Sequence, residues 1–379
     1  MSKLRGLSLF SNVGVAEVGL EQVENFSMLY ANELDPKRCE FYRHVHPHTE
    51  VIEGDLTDDS IRDIIVEKSL SAGINFIIAT PPCQGMSEAG SRLEFDERNE
   101  LIYYAVDVIK RVSPSYVILE NVPKILKTKI RYKGEIVTIP EYLFSELGDK
   151  YIFNEQSLIK AMDYGVPQMR ERNIFLLVGR EVGIKWDFPH KEKLVTLHEA
   201  IGDLPSLDPL LREGLEFTLE KFPNYLKKVE LSQKISKWHR PPLHSWKQVE
   251  WMMHTPTGKS AIYNEIYYPK KDDGRRISAH HNNYRRMYWD KPARTMTQNN
   301  GVISSLACVH PGRAYNEGGA ILYSDARVLS IYELLIVSSL PTDWDIPDWA
   351  SDSFIRKVIG EGIPPRIITL IVGELLKLI

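Results

Sequence analysis

The sequence predicts an α/β fold built on a parallel sheet, followed by a second, smaller and irregular region. Three observations carry this. Through the first half of the chain, short apolar runs bounded by turn residues alternate with patterns of helical period. From about Pro189 that rhythm gives way to prolines, tryptophans and basic residues until about Pro347. After Pro364-Pro365 an apolar, helix-like pattern returns with Ile367, Leu370, Ile371 and Leu375 at helical spacing, able to pack back on the first region.

The strands are predicted at 6–9, 26–31, 49–52, 75–80, 115–119 and 174–178, all short apolar runs bounded by turn residues. Helices are predicted between them at 58–69 and 101–112; the second places Leu101, Tyr104, Val108 and Val112 on one face. Strand and helix in alternation mean parallel strands, and such a sheet holds its ligands at the carboxyl ends of the strands. The predicted organisation is a first domain over 1–187, completed by 352–379, and a second over 188–351.

At 379 residues, with 43% hydrophobic and 26% charged content, the chain is long enough to bury a large core and is neither disordered nor fibrous. No run approaches the roughly 18 apolar residues of a membrane span, and MSKLRGLSLFSNVG lacks the pattern of a secretory signal, so a cytoplasmic protein with no membrane partner is expected. Cys39, Cys83 and Cys308 are odd in number and widely spaced, which suggests neither disulfides nor a thiolate metal site.

The net charge of −4 hides an asymmetry. Residues 221–294 hold 16 Lys or Arg against 6 Asp or Glu, together with 11 aromatic residues that include Trp238, Trp246, Trp251 and Trp289. Basic and aromatic residues interleaved in one stretch are a nucleic-acid-binding composition, the alternative being a solvated basic face.

Pro81-Pro82-Cys83-Gln84 ends one predicted strand and delivers a cysteine into the ligand crevice. A cysteine there is either an inert small hydrophobe or a nucleophile. Four further strand ends carry candidates. Phe10-Ser11-Asn12-Val13-Gly14 with Gly19 is a strand-to-helix turn that suits either packing or a cofactor, and Glu33 and Asp55 stand where such a sheet would hold a ribose and an adenine. Glu120, in Glu120-Asn121-Val122-Pro123, is either a helix cap or a proton donor in a desolvated pocket. In Gln168-Met169-Arg170-Glu171-Arg172 the two arginines share a face of an extended segment and either reach the Cys83 and Glu120 layer or pair with Glu171.

Taken in order, Pro81-Pro82-Cys83-Gln84, Glu120-Asn121-Val122, Gln168-x-Arg170-x-Arg172, the Phe10/Gly14/Gly19 turn, 292–297 and 360–365 resemble the ordered motifs of the DNA (cytosine-5)-methyltransferases. The resemblance spans nearly the whole chain apart from the basic segment. It implies a Rossmann-like sheet binding S-adenosyl-L-methionine, a second domain that recognises the target, and a base-flipping reaction on double-stranded DNA. Cys83 would attack C6 of the flipped cytosine, Glu120 would hold N3 and N4, Arg172 would bind O2 and Arg170 would orient Glu120. Phe10 would stack on the adenine, Gly14 would allow close approach, Glu33 would hold the ribose hydroxyls, Asp55 the adenine amino group, and Leu101 would give an apolar contact.

Gln84 and Ser87 would lie on a loop closing over the nucleotide, and Gln168, Lys270, Lys271, Arg275 and Arg276 would contact DNA. The chain departs from the family pattern at Asn12 and Val15, where glycine is usual, and at Glu361, where asparagine is usual. A monomer acting apart from any cognate restriction endonuclease is expected, with no metal. His44, His46 and His48 read as a solvated turn. A transfer-RNA-methylating branch is the alternative substrate reading, but its Cys-Phe-Thr signature is absent; a silent DNA-binding scaffold is opposed by the intact Cys83, Glu120, Arg170 and Arg172.

Overall fold

The computed structural model of the chain describes residues 3–82, 97–271 and 273–379. Five parallel strands form the centre of its main sheet: β1 (Leu4–Leu9), β2 (Phe26–Glu33), β3 (Glu50–Glu53), β4 (Phe76–Ala79) and β5 (Tyr116–Asn121). Their order is β3-β2-β1-β4-β5, continued by Glu171–Gly179 and Tyr151–Phe153. β4 and β5 are buried along their whole length, as central parallel strands covered on both faces must be.

The prediction of parallel strands fails for Glu171–Gly179, which runs antiparallel to β5 and to both Tyr151–Phe153 and Leu158–Lys160. The helix Ile139–Leu147 provides the long crossover that a parallel partner requires, and it leads to Tyr151–Phe153 instead. The chain then doubles back through Leu158–Lys160 with no α-helix to carry another crossover, and Glu171–Gly179 fills the gap beside β5.

Helices follow the local chemistry. α1 (Pro36–Val45) starts on Asp35, whose side chain accepts from the N–H groups of Lys37 and Arg38, with proline in the first turn. α2 (Asp59–Ala72) is capped by Asp58 and ends on Gly73 in the left-handed conformation, φ 63°. α3 (Leu101–Val112) matches its predicted span and buries Ile102, Ala105, Val106, Val108, Ile109 and Val112.

α2 and α3 pack on one face of the sheet around Leu7, Ile77 and Val117, and the C-terminal helix Pro365–Leu378 covers the other through Ile367, Ile368, Ile371 and Leu375, while α1 buries Phe41 in a separate cluster with Val13, Val15 and Trp344. The Trp186 indole N–H donates to the Ile371 carbonyl at 3.0 Å, so the last helix returns to the first region.

The basic, aromatic segment holds a core of its own. Tyr225, Trp238, Trp251 and Tyr284 are buried, and Trp251 and Tyr284 pack with Val249, Ile303, Val309 and Val328. Most of these rings therefore replace secondary structure as the source of buried surface in an irregular region, which neither sequence reading anticipated. Among the described residues no helix is long and apolar enough to cross a membrane, and no group of three or more His, Cys, Asp or Glu is placed to hold a metal ion.

Candidate active site

The strand order reverses between β1 and β4, and the crevice outside the carboxyl ends of the strands at such a point is where doubly wound sheets place their ligands. A cleft of about 1370 Å³ opens there. Its floor is the sheet edge, with Phe10, Asn12, Glu33, Asp55, Thr80 to Pro82, Glu120 and Arg172; its opposite wall comes from Thr295 to Asn299, Ser304 to Leu306 and Gly360 to Ile363.

The turn after β1 is strained. Phe10 has φ 58° and Asn12 has φ 52°, left-handed values that a bulky residue adopts only when its surroundings compel it. Glu33 supplies much of that constraint: its carboxylate accepts from the Asn12 N–H at 2.8 Å and from the Leu34 and Asp35 N–H groups at 3.0 Å. Asparagine is among the few side-chain-bearing residues that tolerate this backbone, which explains how Asn12 replaces the usual glycine.

The other departures from the family pattern come together at the 360–362 segment. Glu361 accepts from Asn12 Nδ2 at 3.4 Å and pairs with Arg38 at 2.8 Å, and Val15 packs so closely on Gly362 that a Cβ there would fall 2.7 Å from it.

Glu120, at the end of β5, is 8% exposed and pairs through Oε1 with Arg172 Nε at 2.7 Å. Burial pushes its carboxyl above the usual range, while Arg172 and Arg170 pull the other way. A carboxyl raised in this way takes up a proton more readily than a free glutamate and can donate it to a ring nitrogen. Asn121 Nδ2 donates to the Pro81 carbonyl at 3.1 Å, and Thr80 Oγ1 to the Phe10 carbonyl at 3.0 Å. The ends of β1, β4 and β5 are thereby tied into one layer, and Cys83 follows two residues after Pro81.

The predicted site residues divide clearly. Glu120, Arg170, Arg172, Phe10, Glu33, Asp55 and Leu101 all line the cleft. Cys83, Gln84 and Ser87 lie outside the described residues. The orienting role assigned to Arg170 is not what its contacts show: it donates to the carbonyls of Met296, Gly360 and Glu361 at 2.8–3.0 Å, and Arg172 makes the pair with Glu120. Burial and the neighbouring Arg172 depress Arg170 well below the ordinary arginine range. Arg170 is the bolt between the sheet and the far wall, acting on Glu120 only through the field.

Two further expectations are corrected. Gly14 does not line the cleft; it has φ 77°, and a Cβ there would lie 2.1 Å from His46 Nε2, so its smallness serves the contact of the β1 turn with α1. His46 itself bridges Glu21 at 2.5 Å and the Gly14 carbonyl at 3.0 Å. Gln168 is 1% exposed and bonds Val337 O at 3.2 Å and the Met296 N–H at 3.1 Å, a joint between segments and not a DNA contact.

Lys270, Lys271, Arg275 and Arg276 are exposed on a tight reversal closed by a bridge between Lys270 and Arg276. Arg275 is paired with Asp273 at 2.6 Å, and Arg276 lies 3.6 Å over the Tyr268 ring while donating to Ile262 O. Arg38 and Glu361 were not foreseen as partners, because nothing local in sequence joins positions 323 residues apart. Cys39 and Cys308 are buried, each thiol pushed up to about 12 chiefly by burial.

A model of the C-5 cytosine-specific DNA methylase family matches residues 4–377. The chain belongs to that family, and its activity is that of a DNA cytosine-5 methyltransferase. It is 39% identical to the Type II methyltransferase M1.HgaI of Avibacterium volantium over 377 residues, which cover 98% of each protein. It is 26% identical to M1.HphI of Haemophilus parahaemolyticus over 98% of this chain and 86% of that one. Its fold matches that of Spodoptera frugiperda DNMT2 with a TM-score of 0.60 at 13% identity, covering 99% of this chain and 100% of the other.

Proposed function

We propose that this enzyme transfers a methyl group from S-adenosyl-L-methionine to C5 of a cytosine flipped out of double-stranded DNA, through a covalent adduct of Cys83 at C6. The observation that carries the reading is the tie from Asn121 to Pro81, which joins the strand bearing the buried Glu120 to the strand that leads into Cys83. The relatives named as Type II methyltransferases support a place in a restriction–modification system, with a cognate endonuclease acting separately.

The cleft suits the cofactor. Asn12 Oδ1 is buried at its wall with no hydrogen-bond partner among the described residues, while Glu33 and Asp55 offer carboxylates on adjacent strand ends. Phe10 and Leu101 would hold the adenine, Asp55 its amino group and Glu33 the ribose. When bound, S-adenosylmethionine supplies an electrophilic methyl group.

The protein's part is to make C5 of cytosine nucleophilic. The Cys83 thiolate adds to C6 as Glu120 stabilises the ring at N3 and N4, so the electron pair released from the C5–C6 bond becomes available at C5. Arg172 fixes Glu120 and offers its remaining N–H groups to the base oxygen. After methylation the proton on C5 is removed, the C5=C6 double bond re-forms and the thiolate leaves C6.

DNA carrying 5-fluorocytosine at the target tests this, because fluorine in place of the C5 proton blocks the last step. Wild type should form a complex stable to denaturant and Cys83→Ala none. Methyl transfer by Cys83→Ala would overturn the covalent route.

A further inference from the structure

A second cleft, of about 460 Å³, lies in the basic region and gathers Lys247, Lys270 and Lys271 around Ser245, Gln248 and Tyr284. It arises from two elements. Lys247 is the second residue of the helix Trp246–Met253, its ammonium 5.7 Å from the Trp251 ring. Lys270 and Lys271 come from the reversal that folds back at Gly274. The helix's first N–H is already taken by the Glu213 carboxylate at 3.0 Å, so the positive character of the cleft comes from the lysines.

The sequence offered Lys270, Lys271, Arg275 and Arg276 as an undivided group. The structure sorts them: neither arginine lines this cleft, and Lys247, 23 residues upstream of Lys270, joins the two lysines on one concave surface.

This cleft shares a wall with the active-site cleft. Tyr284 lines the lysine cleft, and Asn283, the residue before it, lines the active-site cleft together with Ser304. Asn283 Nδ2 also donates to the Ser304 carbonyl at 2.5 Å, making the partition a bonded unit. A nucleotide entering the active site thus has three lysine side chains beyond the Asn283–Tyr284 partition.

We propose that Lys247, Lys270 and Lys271 form a binding site for the phosphodiester backbone of the DNA beside the flipped nucleotide, an assignment that rests on the enzyme acting on duplex DNA. Compact, strongly hydrated ammonium groups on flexible stems bind phosphate as point charges and carry no base code. The site therefore holds the duplex in register while leaving sequence choice to other groups.

The test is DNA binding by K247Q/K270Q/K271Q across a salt series, with target and non-target duplexes and with S-adenosylhomocysteine affinity as the check on folding. Each phosphate contact contributes about 0.9 to the slope of log K against log salt, so the slope should fall by about 2 to 3 and both duplexes should weaken alike. If the triple variant loses S-adenosylhomocysteine binding, Lys270→Gln alone should lower the slope by about 1. An unchanged slope, or weakening confined to the target duplex, would overturn the phosphate assignment while wild type continues to methylate. A wild-type chain that neither binds nor methylates DNA would instead remove the functional reading beneath it.

Discussion

Arg172 Nε lies 2.7 Å from Glu120 Oε1, with the two side chains only 11% and 9% exposed. The same guanidinium donates through Nη1 to the Glu171 carbonyl at 2.8 Å, so the arginine is held by its own strand while it holds the neighbouring one. The antiparallel register opposite β5, where Ile174 faces Glu120, makes this possible. A parallel strand in that place would have carried Arg170 and Arg172 to the far end of the sheet.

Arg172→Lys should therefore be a severe change despite keeping the charge. An ammonium cannot bond Glu120 and the Glu171 carbonyl in the same planar geometry. Methyl transfer in a single turnover should slow by roughly 100-fold or more, the usual cost of one misplaced electrostatic group. Arg172→Ala should in addition raise the Glu120 carboxyl further, since the charge that opposes burial is gone. A rate within a few-fold of wild type for the lysine variant would show that the pair does not set Glu120's position in the reaction.

The cofactor end depends on Glu33 in a similar way. Its carboxylate collects three backbone N–H groups and so stabilises the left-handed turn at Phe10 and Asn12. Glu33→Gln replaces one acceptor oxygen by a donor that faces N–H groups. With charge-assisted hydrogen bonds contributing about 1.5 to 3 kcal/mol, S-adenosylhomocysteine affinity measured by calorimetry should fall by roughly 10- to 100-fold. Unaltered affinity would mean that the turn keeps its shape without Glu33.

How much of this was legible in the sequence depended on how local the information was. α3 is found at its predicted span because its apolar face and flanking residues are local, and Glu120 and Arg172 stand in the cleft because strand ends can be read from turn residues. The direction of Glu171–Gly179 was not legible, since it depends on where the chain after Ile139–Leu147 chooses to return. The aromatic segment misled for a related reason: composition shows that Trp251 and Tyr284 are clustered, but not that they point inward. Gln168 and Gly14 were assigned to ligands by the family resemblance, whereas their partners in the fold, Val337 and His46, lie elsewhere in the sequence.

Gln168→Ala separates those two readings of one residue. It removes buried bonds to Val337 O and the Met296 N–H and leaves those groups unsatisfied. Stability should fall by about 2 to 3 kcal/mol, read as a lower urea midpoint. The salt slope of DNA binding should stay at the wild-type value, because no phosphate contact is lost. A changed slope with unchanged stability would return Gln168 to the DNA surface.

Stability should also fall on mild acidification, and the reason lies around Arg327. Its guanidinium, fully buried, bonds Glu333 through both terminal nitrogens at 2.6 and 2.9 Å and Asp325 at 2.9 Å. Burial opposes the charge on Glu333, yet Arg327 and His310 bring its carboxyl down to about 2. Beside it, burial lowers His310 to about 4 and His244 to about 3.

Both shifts act in the same direction. An unfolded histidine takes up a proton near pH 6.5, and folded His310 only near 4. Between those values the unfolded state binds more protons, so stability falls as pH falls. For Glu333 the corresponding window runs from its ordinary 4.5 down to about 2. Urea midpoints should thus decline steadily from about pH 6.5 downward. Asparagine at 310 can keep an acceptor for the Gly312 N–H, which His310 Nδ1 receives at 3.1 Å, without a titrating ring. His310→Asn should therefore lower stability at pH 7 but reduce its slope between about pH 6.5 and 4.5 by close to one proton. A variant with the wild-type slope would place the acid sensitivity in His244 and His239 instead.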